Sequence, residues 1–186
     1  MIDLKPFCGK DETRPYLNAP WSKGDYTYVT NGHIGIRVAR RQDVPETEEF
    51  RVDLQKVLDK AATEAGPLGS LPEDIPAESK IECWECGGTG INTCPACHND
   101  EPCETCEETG LITESISVEI APRAYVRAGY LSLVAALPNV KMDLVGVENA
   151  HYFEFDGGIG AVMGLRNPSA KHVPLKPEAL GEAVRG

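Results

Sequence analysis

The stretch CWECGGTGINTCPACHNDEPCETCEETG, Cys83 to Gly110, holds six of the chain's seven cysteines as three Cys-x-x-Cys pairs. A segment this poor in large apolar side chains cannot build a core of its own, so a crosslink has to hold it together. Disulfides, redox thiols and metal ligands are the three candidates. The N-terminus, MIDLKPFCGKDE, has no basic region followed by a long apolar segment, and the longest apolar run lies near LSLVAALP. The expectation is therefore a soluble, unsecreted, cytoplasmic protein with no membrane partner. In that reducing setting clustered cysteines are metal ligands or redox thiols before they are disulfides. The redox reading needs an exposed thiol of low pKa beside a βαβ pattern, and no such pattern flanks these pairs. Zinc, as one or two ions, is the expected cofactor.

Charge bears on partners. Of a formal net charge of −11, the segment from Ile81 to Gly110 contributes seven acidic residues (Glu82, Glu85, Asp100, Glu101, Glu104, Glu107 and Glu108) with no Lys or Arg, leaving −4 for the rest. Four thiolates around one zinc add a further net −2. Such a surface repels phosphate, so nucleic acid is disfavoured as a partner and would have to meet another face.

A Cys-x-x-Cys turn followed by glycine makes a knuckle in which both sulfurs face one point and the glycine takes a backbone geometry that a side chain would obstruct. CWECGGTG fits fully, CPACHND has the pair without the glycines, and CETCEETG keeps only the last one. The segment resembles the Cys-x-x-Cys-x-Gly-x-Gly repeats of the DnaJ cysteine-rich domain over about thirty residues, with three pairs where that family has four and without a His-Pro-Asp signature. The resemblance implies zinc, and it implies that the outer pairs, Cys83, Cys86, Cys103 and Cys106, share one ion. Cys94 and Cys97 then lie on a sixteen-residue excursion between them. For a second ion His98 offers a third ligand and Asp100 or another group a fourth; the alternative is that His98 is a solvated loop residue. A closed site of four thiolates leaves no coordination position for water and is structural rather than catalytic. Cys8 stands alone and reads as a buried or inert thiol.

Around this insert the chain alternates between strand and helix patterns. GDYTYVTNGHIGIRVARR reads as a hairpin turning at Asn31-Gly32, followed by a short strand around Phe50-Val52. An amphipathic helix follows, capped by Asp53, lined by Leu54, Val57, Leu58 and Ala61, and stopped at Gly66-Pro67. PLGSLPEDIPAES is a Pro-rich linker into the cluster. Beyond it LITESISVEI reads as a strand, PRAYVRAGYLSLVAALP as a helix from Pro122 to about 137, and NVKMDLVGV, HYFEFD and IGAVMGLR as three strands. The last twenty residues read as a mobile tail.

YVTNGHIGIRVA and SVEIAPRAYVRAGYLSLVAALPNVKMDLVGV…YFEFDGGIGAVMGLR, in that order, resemble a domain of the bacterial DNA polymerase sliding clamp (β subunit), over roughly 25–65 and 112–166. The resemblance implies an α+β, DNA-clamp-like body at 1–80 and 111–166, with two helices packed on antiparallel strands. The DnaJ-like zinc-binding module is inserted at 81–110 and a C-terminal tail covers 167–186. In a clamp the helices line the DNA side. Here Lys56 and Lys60 stand four apart on the first helix and Arg123 and Arg127 four apart on the second. Those four are the candidate phosphate-facing residues, though Asp53, Asp59 and Glu64 can neutralise the first pair.

The four histidines (His33, His98, His151, His172) are scattered, with no nucleophile signature, Walker loop or dinucleotide fingerprint. His33 and His151 read as structural residues at hairpin ends. The expected function is that of a non-catalytic zinc-binding protein acting through contacts with an unidentified protein partner, as a replication-associated or prophage accessory factor. The alternatives are a chaperone-like peptide-binding module that uses the zinc knuckles and a DNA-binding sliding-clamp variant.

Overall fold

The computed structural model describes residues 2–47, 53–71, 74–121, 124–144, 150–166 and 172–174. Short 3-10 turns at Lys5–Phe7 and Pro15–Leu17 lead into β1 (Trp21–Lys23), β2 (Tyr26–Thr30), β3 (Ile34–Ala39), α1 (Leu54–Glu64) and β4 (Leu68–Ser70). The cysteine segment contributes β5 (Lys80–Glu82), β6 (Ile91–Thr93), β7 (Asp100–Pro102) and β8 (Leu111–Thr113). The chain returns through β9 (Ser117–Ala121), β10 (Ala124–Arg127), α2 (Ala128–Ala135), β11 (Lys141–Asp143), β12 (Ala150–Phe155), β13 (Gly158–Met163) and β14 (His172–Pro174). The class is α+β.

The body rests on a seven-stranded sheet of order β1-β2-β3-β13-β12-β11-β4, antiparallel at every step. Its central hairpin is set by the Asn31-Gly32 turn. Asn31 Oδ1 accepts from the His33 and Ile34 amides at 2.9 and 2.8 Å, while Gly32 takes φ +88°. Period-two alternation then divides the side chains between two faces. Tyr28, Tyr152 and Ala161 pack on one face with Trp21 and with Leu54, Leu58 and Ala61 of α1. Val29, Ile34, Ile36, Phe153 and Val162 pack on the other, against Leu131 and Val134 of α2 and Val118, Ile120 and Val126 of a three-stranded sheet, β10-β9-β14.

The two helices therefore cover opposite faces of the large sheet. They do not lie side by side as the clamp resemblance implies. The cause is parity along β2 and β3: Gly35 turns to the α1 side and Ile34 and Ile36 to the α2 side. A Cβ on Gly35 would come within 2.5 Å of Leu54 Cδ1, so α1 can settle on the sheet only over a glycine. Asp53 caps α1 as expected, its side chain accepting from the Lys56 amide.

Four other expectations change. The helix expected from Pro122 begins at Ala128, because 124–127 pairs antiparallel with β9 and buries Val126 there; Pro122 and Arg123 lie outside the described residues. The Pro-rich linker contains β4, where Gly69 sits under Leu144 and pairs with Met142. The strand expected over LITESISVEI is two strands in different sheets, β8 and β9. Within the expected tail, β14 pairs parallel with β9. The strand around Phe50-Val52 falls outside the described residues. Among those residues no helix is long and apolar enough to cross a membrane.

Candidate metal centre

The cysteine segment folds as two small ladders, β5 with β8 and β6 with β7, joined by two knuckles. Residues 83–91 and 103–111 repeat each other's backbone with an offset of 20. In the first, the Cys83 carbonyl accepts from the Gly88 amide at 3.3 Å and the Cys86 carbonyl from Thr89 N at 3.3 Å; in the second, Cys103 accepts from Glu108 N at 3.2 Å and Cys106 from Thr109 N at 3.0 Å. Each threonine hydroxyl also donates to the second cysteine's carbonyl, Thr89 at 2.8 Å and Thr109 at 2.5 Å. The repeats then bond to each other reciprocally, Cys83 N to the Gly110 carbonyl at 2.8 Å and Cys103 N to the Gly90 carbonyl at 2.9 Å. Glu85 of the first knuckle adds a side-chain link by accepting from the Thr105 hydroxyl of the second.

This local pseudo-twofold brings together Cys83, Cys86, Cys103 and Cys106, whose Sγ atoms all lie within 4.8 Å of one another. Among the described residues it is the one such set of three or more His, Cys, Asp or Glu side chains. The Cys83–Cys103 and Cys86–Cys106 sulfurs are 3.9 and 3.7 Å apart. A tetrahedron with metal–sulfur bonds of about 2.3 Å has edges of about 3.8 Å, so the thiols already stand at coordination distances. Amide protons point at the sulfurs as well: Gly90 N lies 3.2 Å from Cys86 Sγ and Gly110 N 3.3 Å from Cys106 Sγ. These donors stabilise thiolate rather than thiol.

Titration follows from that geometry. Burial opposes ionisation of Cys86, but the Gly90 amide, the Cys106 and Cys83 thiols and the Gly88 amide outweigh it and bring its thiol down to about 6. Burial pushes Cys103 and Cys106 up. Four thiolates cannot share so small a buried space unless a cation compensates them, and these four side chains fit a tetrahedral divalent ion.

The second knuckle lacks the glycines expected after its cysteines, and Glu107 and Glu108 take their place with φ +50° and +65°, against +60° and +86° at Gly87 and Gly88. The backbone path outlasts the glycines. The other expected ligands stand apart. Cys94, half-buried, and Cys97, exposed, sit at the end of the β6–β7 hairpin with His98, and neither His98 nor Asp100 gathers with them into a set of three. Asp100 accepts instead from the Thr93 hydroxyl at 2.7 Å. Cys8 is half-buried, its thiol raised by burial and then by the Asp3 carboxylate.

Of the four basic residues, the three that are described do not form one face. Lys56 and Lys60 are exposed on α1, beside Asp53 at 3.6 Å and Glu64 at 3.7 Å. Arg127 ends β10, just before α2 on the other side of the sheet, its Nε and Nη2 donating to Glu78 at 2.7 and 2.9 Å; Arg123 lies outside the described residues. His33 stacks on Tyr130 with ring centroids 5.1 Å apart, and His151 is buried within β12.

A feature that the sequence reading did not identify lies between α1 and the β2–β3 hairpin. It is a cavity of about 600 Å³ with Leu17, Ile34, Leu54, Val57, Ala161 and Met163 among its lining residues. Val57 and Met163 are 46 % and 48 % exposed there, so apolar surface faces solvent. The available signal was Val57 itself, an apolar residue on the inner stripe of α1 that the sheet does not cover. No family model, curated protein or solved structure matches this chain.

Proposed function

We propose that this chain is a non-catalytic zinc-binding protein whose body acts by holding an apolar segment of a partner protein. The apolar cavity between α1 and the β2–β3 hairpin carries the reading. Its volume of about 600 Å³ suits a few large apolar side chains, and Arg14, Lys60 and Glu64 are also among its lining residues. Val57 and Met163, as large apolar residues left half open to solvent, are what a docking site requires and what a closed core avoids.

Zinc belongs to this reading as a structural element. Four thiols at tetrahedral spacing suit zinc or iron, and a closed tetrathiolate leaves no open position for a substrate. The module's own core is Cys83, Cys103 and Cys106 with Cys86 and Ile112 packed against them. The ion is then the main source of its stability.

Two measurements test the two halves. Elemental analysis of protein purified under reducing conditions should give zinc bound to the four cysteines; iron, with its visible colour, or no metal would refute this part. Selection of peptides from a random library on the full chain should yield apolar sequences whose affinity falls roughly tenfold or more, about 1.4 kcal/mol, on Val57→Glu or Met163→Glu. Peptides indifferent to both substitutions would refute the docking role.

A further inference from the structure

Among the described residues, the knuckle at the end of the β6–β7 hairpin has no other knuckle paired with it. Cys94 N donates to the Asn99 carbonyl at 2.9 Å and His98 N to the Cys94 carbonyl at 2.9 Å, closing a tight turn around Cys94-Pro95-Ala96-Cys97. His98 has φ +57°, matching Gly87 at +60° and Glu107 at +50°, the residues that follow the second cysteine of the other two knuckles. The tip thus shares the left-handed residue after its second cysteine but closes one residue sooner, His98 N reaching four residues back to Cys94 where Gly88 N and Glu108 N reach five back to Cys83 and Cys103. The first two satisfy each other through a local twofold, whereas the third presents its thiols at the outer end of a two-stranded ribbon. Cys97 is exposed, and neither His98 nor Asp100 joins the two thiols to make a set of three.

We propose that Cys94 and Cys97 form half of an intermolecular zinc site, completed by Cys94 and Cys97 of a second copy of this chain, so that two chains join tip to tip through one shared ion. Zinc takes four ligands from such donors, and two thiolates leave half its coordination sphere to water. The chain itself shows what fills the other half: one knuckle pairing with another across a twofold, as residues 83–86 pair with 103–106. An identical knuckle from a second chain repeats that arrangement as an isologous contact.

Charge and size make the ion the link. Residues 91–102 contain Asp100 and Glu101 and no Lys or Arg, so bare tips repel. Strands of three residues cannot bury the ~1,200–2,000 Å² typical of a stable protein interface. Pairing should therefore depend on zinc and on protein concentration together.

The inference uses the zinc reading of the buried cluster only for the choice of ion, and the test separates the two. The full chain, kept reduced with a phosphine, is titrated with zinc chloride while its mass is followed by sedimentation and its bound metal is counted. The expected course is a monomer with one zinc, then a doubling of mass with three zinc ions per pair of chains, reversed by a mild chelator. The Cys94→Ser, Cys97→Ser double variant should retain one zinc per chain and the wild-type circular dichroism but stay monomeric. A monomer that takes up two zinc ions, a wild-type chain that stays monomeric with one zinc as the metal rises, or a dimer that survives either the chelator or the double substitution would overturn the proposal and leave the buried centre standing. Absence of any bound zinc would overturn both. Wild-type mass and stoichiometry decide the matter even if the variant fails to fold.

Discussion

Gly90 and Gly110 face each other across the pseudo-twofold of the cysteine module: a Cβ built on either would lie 3.4 Å from the other's amide nitrogen and would overlap a carbonyl, that of Glu108 for Gly90 and that of Gly88 for Gly110. Both have left-handed φ, +78° and +69°. A side chain at either position costs roughly 1–3 kcal/mol from the backbone conformation, before the overlap is counted. Gly110→Ala should weaken metal retention roughly tenfold or more against a competing chromophoric chelator. Gly87, which shares the left-handed conformation but has open space around it, should tolerate alanine better.

Glu108 gives the opposite case, since its φ of +65° belongs to the place that Gly88 fills in the first knuckle. Glu108→Gly should relieve the ~1–2 kcal/mol cost of a left-handed non-glycine residue, less the ~0.5–1 kcal/mol of extra flexibility that glycine brings to the unfolded chain. The expected outcome is an equal or modestly higher affinity for metal in the same competition. A weaker one would mean that the Glu108 carboxylate itself supports the knuckle.

Chelation should melt the module before the body. The module's small core is separate from the two clusters that hold the sheet and helices, and a structural zinc contributes about 10–16 kcal/mol to modules of this kind. Hydrogen exchange followed by mass spectrometry should show loss of protection over 80–113 on metal removal, with α1 and α2 still protected. Collapse of both regions together would show that the module is part of the main fold.

Duplex DNA should bind poorly. With α1 and α2 on opposite faces, Lys56 and Lys60 beside acidic partners and Arg127 held by Glu78, these three cations offer no continuous track for phosphates. Fluorescence anisotropy at about 0.15 M salt should give nothing tighter than the ~10⁻⁴–10⁻⁶ M of non-specific contacts. Micromolar or tighter binding that disappears on Lys56→Glu with Lys60→Glu would restore the DNA reading.

His151 sets a pH dependence for the body. Burial lowers its pKa, outweighing the Asp143 carboxylate and a backbone hydrogen bond to Asp143 that pull the other way, and among the described residues its Nδ1 has no hydrogen-bond partner. The unfolded chain takes up this proton near pH 6.5 while the native state resists it. Stability is therefore lost as pH falls below about 6.5, by at most about 1.4 kcal/mol for each pH unit, until the lowered native pKa is reached. Comparing urea midpoints at about pH 7.5 and 5.5, the wild type should lose more than His151→Gln does. Equal losses would mean that His151 does not control this window.

Local features were legible in the chain because the physics that sets them acts over a few residues. The Asn31-Gly32 turn, the Asp53 cap and the alternation of β2, β3, β12 and β13 each follow from residue types at fixed spacing. The spacing of the cysteine pairs marked the candidate metal ligands, although the grouping of 83, 86, 103 and 106 came from likeness to a known repeat rather than from the spacing alone. Tyr125 and Val126 read as part of a helix from Pro122, and the pairing of β10 with β9 makes them strand instead. Leu68-Gly69-Ser70 has no strand pattern of its own and becomes one because β11 supplies a partner and Leu144 covers the glycine.

What the sequence by itself determined is the set of short-range devices: turns, caps, strand parity, the glycine knuckles and an acidic, cysteine-rich insert. Tertiary structure alone decided that α1 and α2 take opposite faces of one sheet, that Val57 borders an open cavity, and that two knuckles meet while the third is left outside. These are long-range outcomes. They depend on which faces are buried against each other when the chain closes, and a periodic pattern shows that a residue has an apolar side without showing what will cover it.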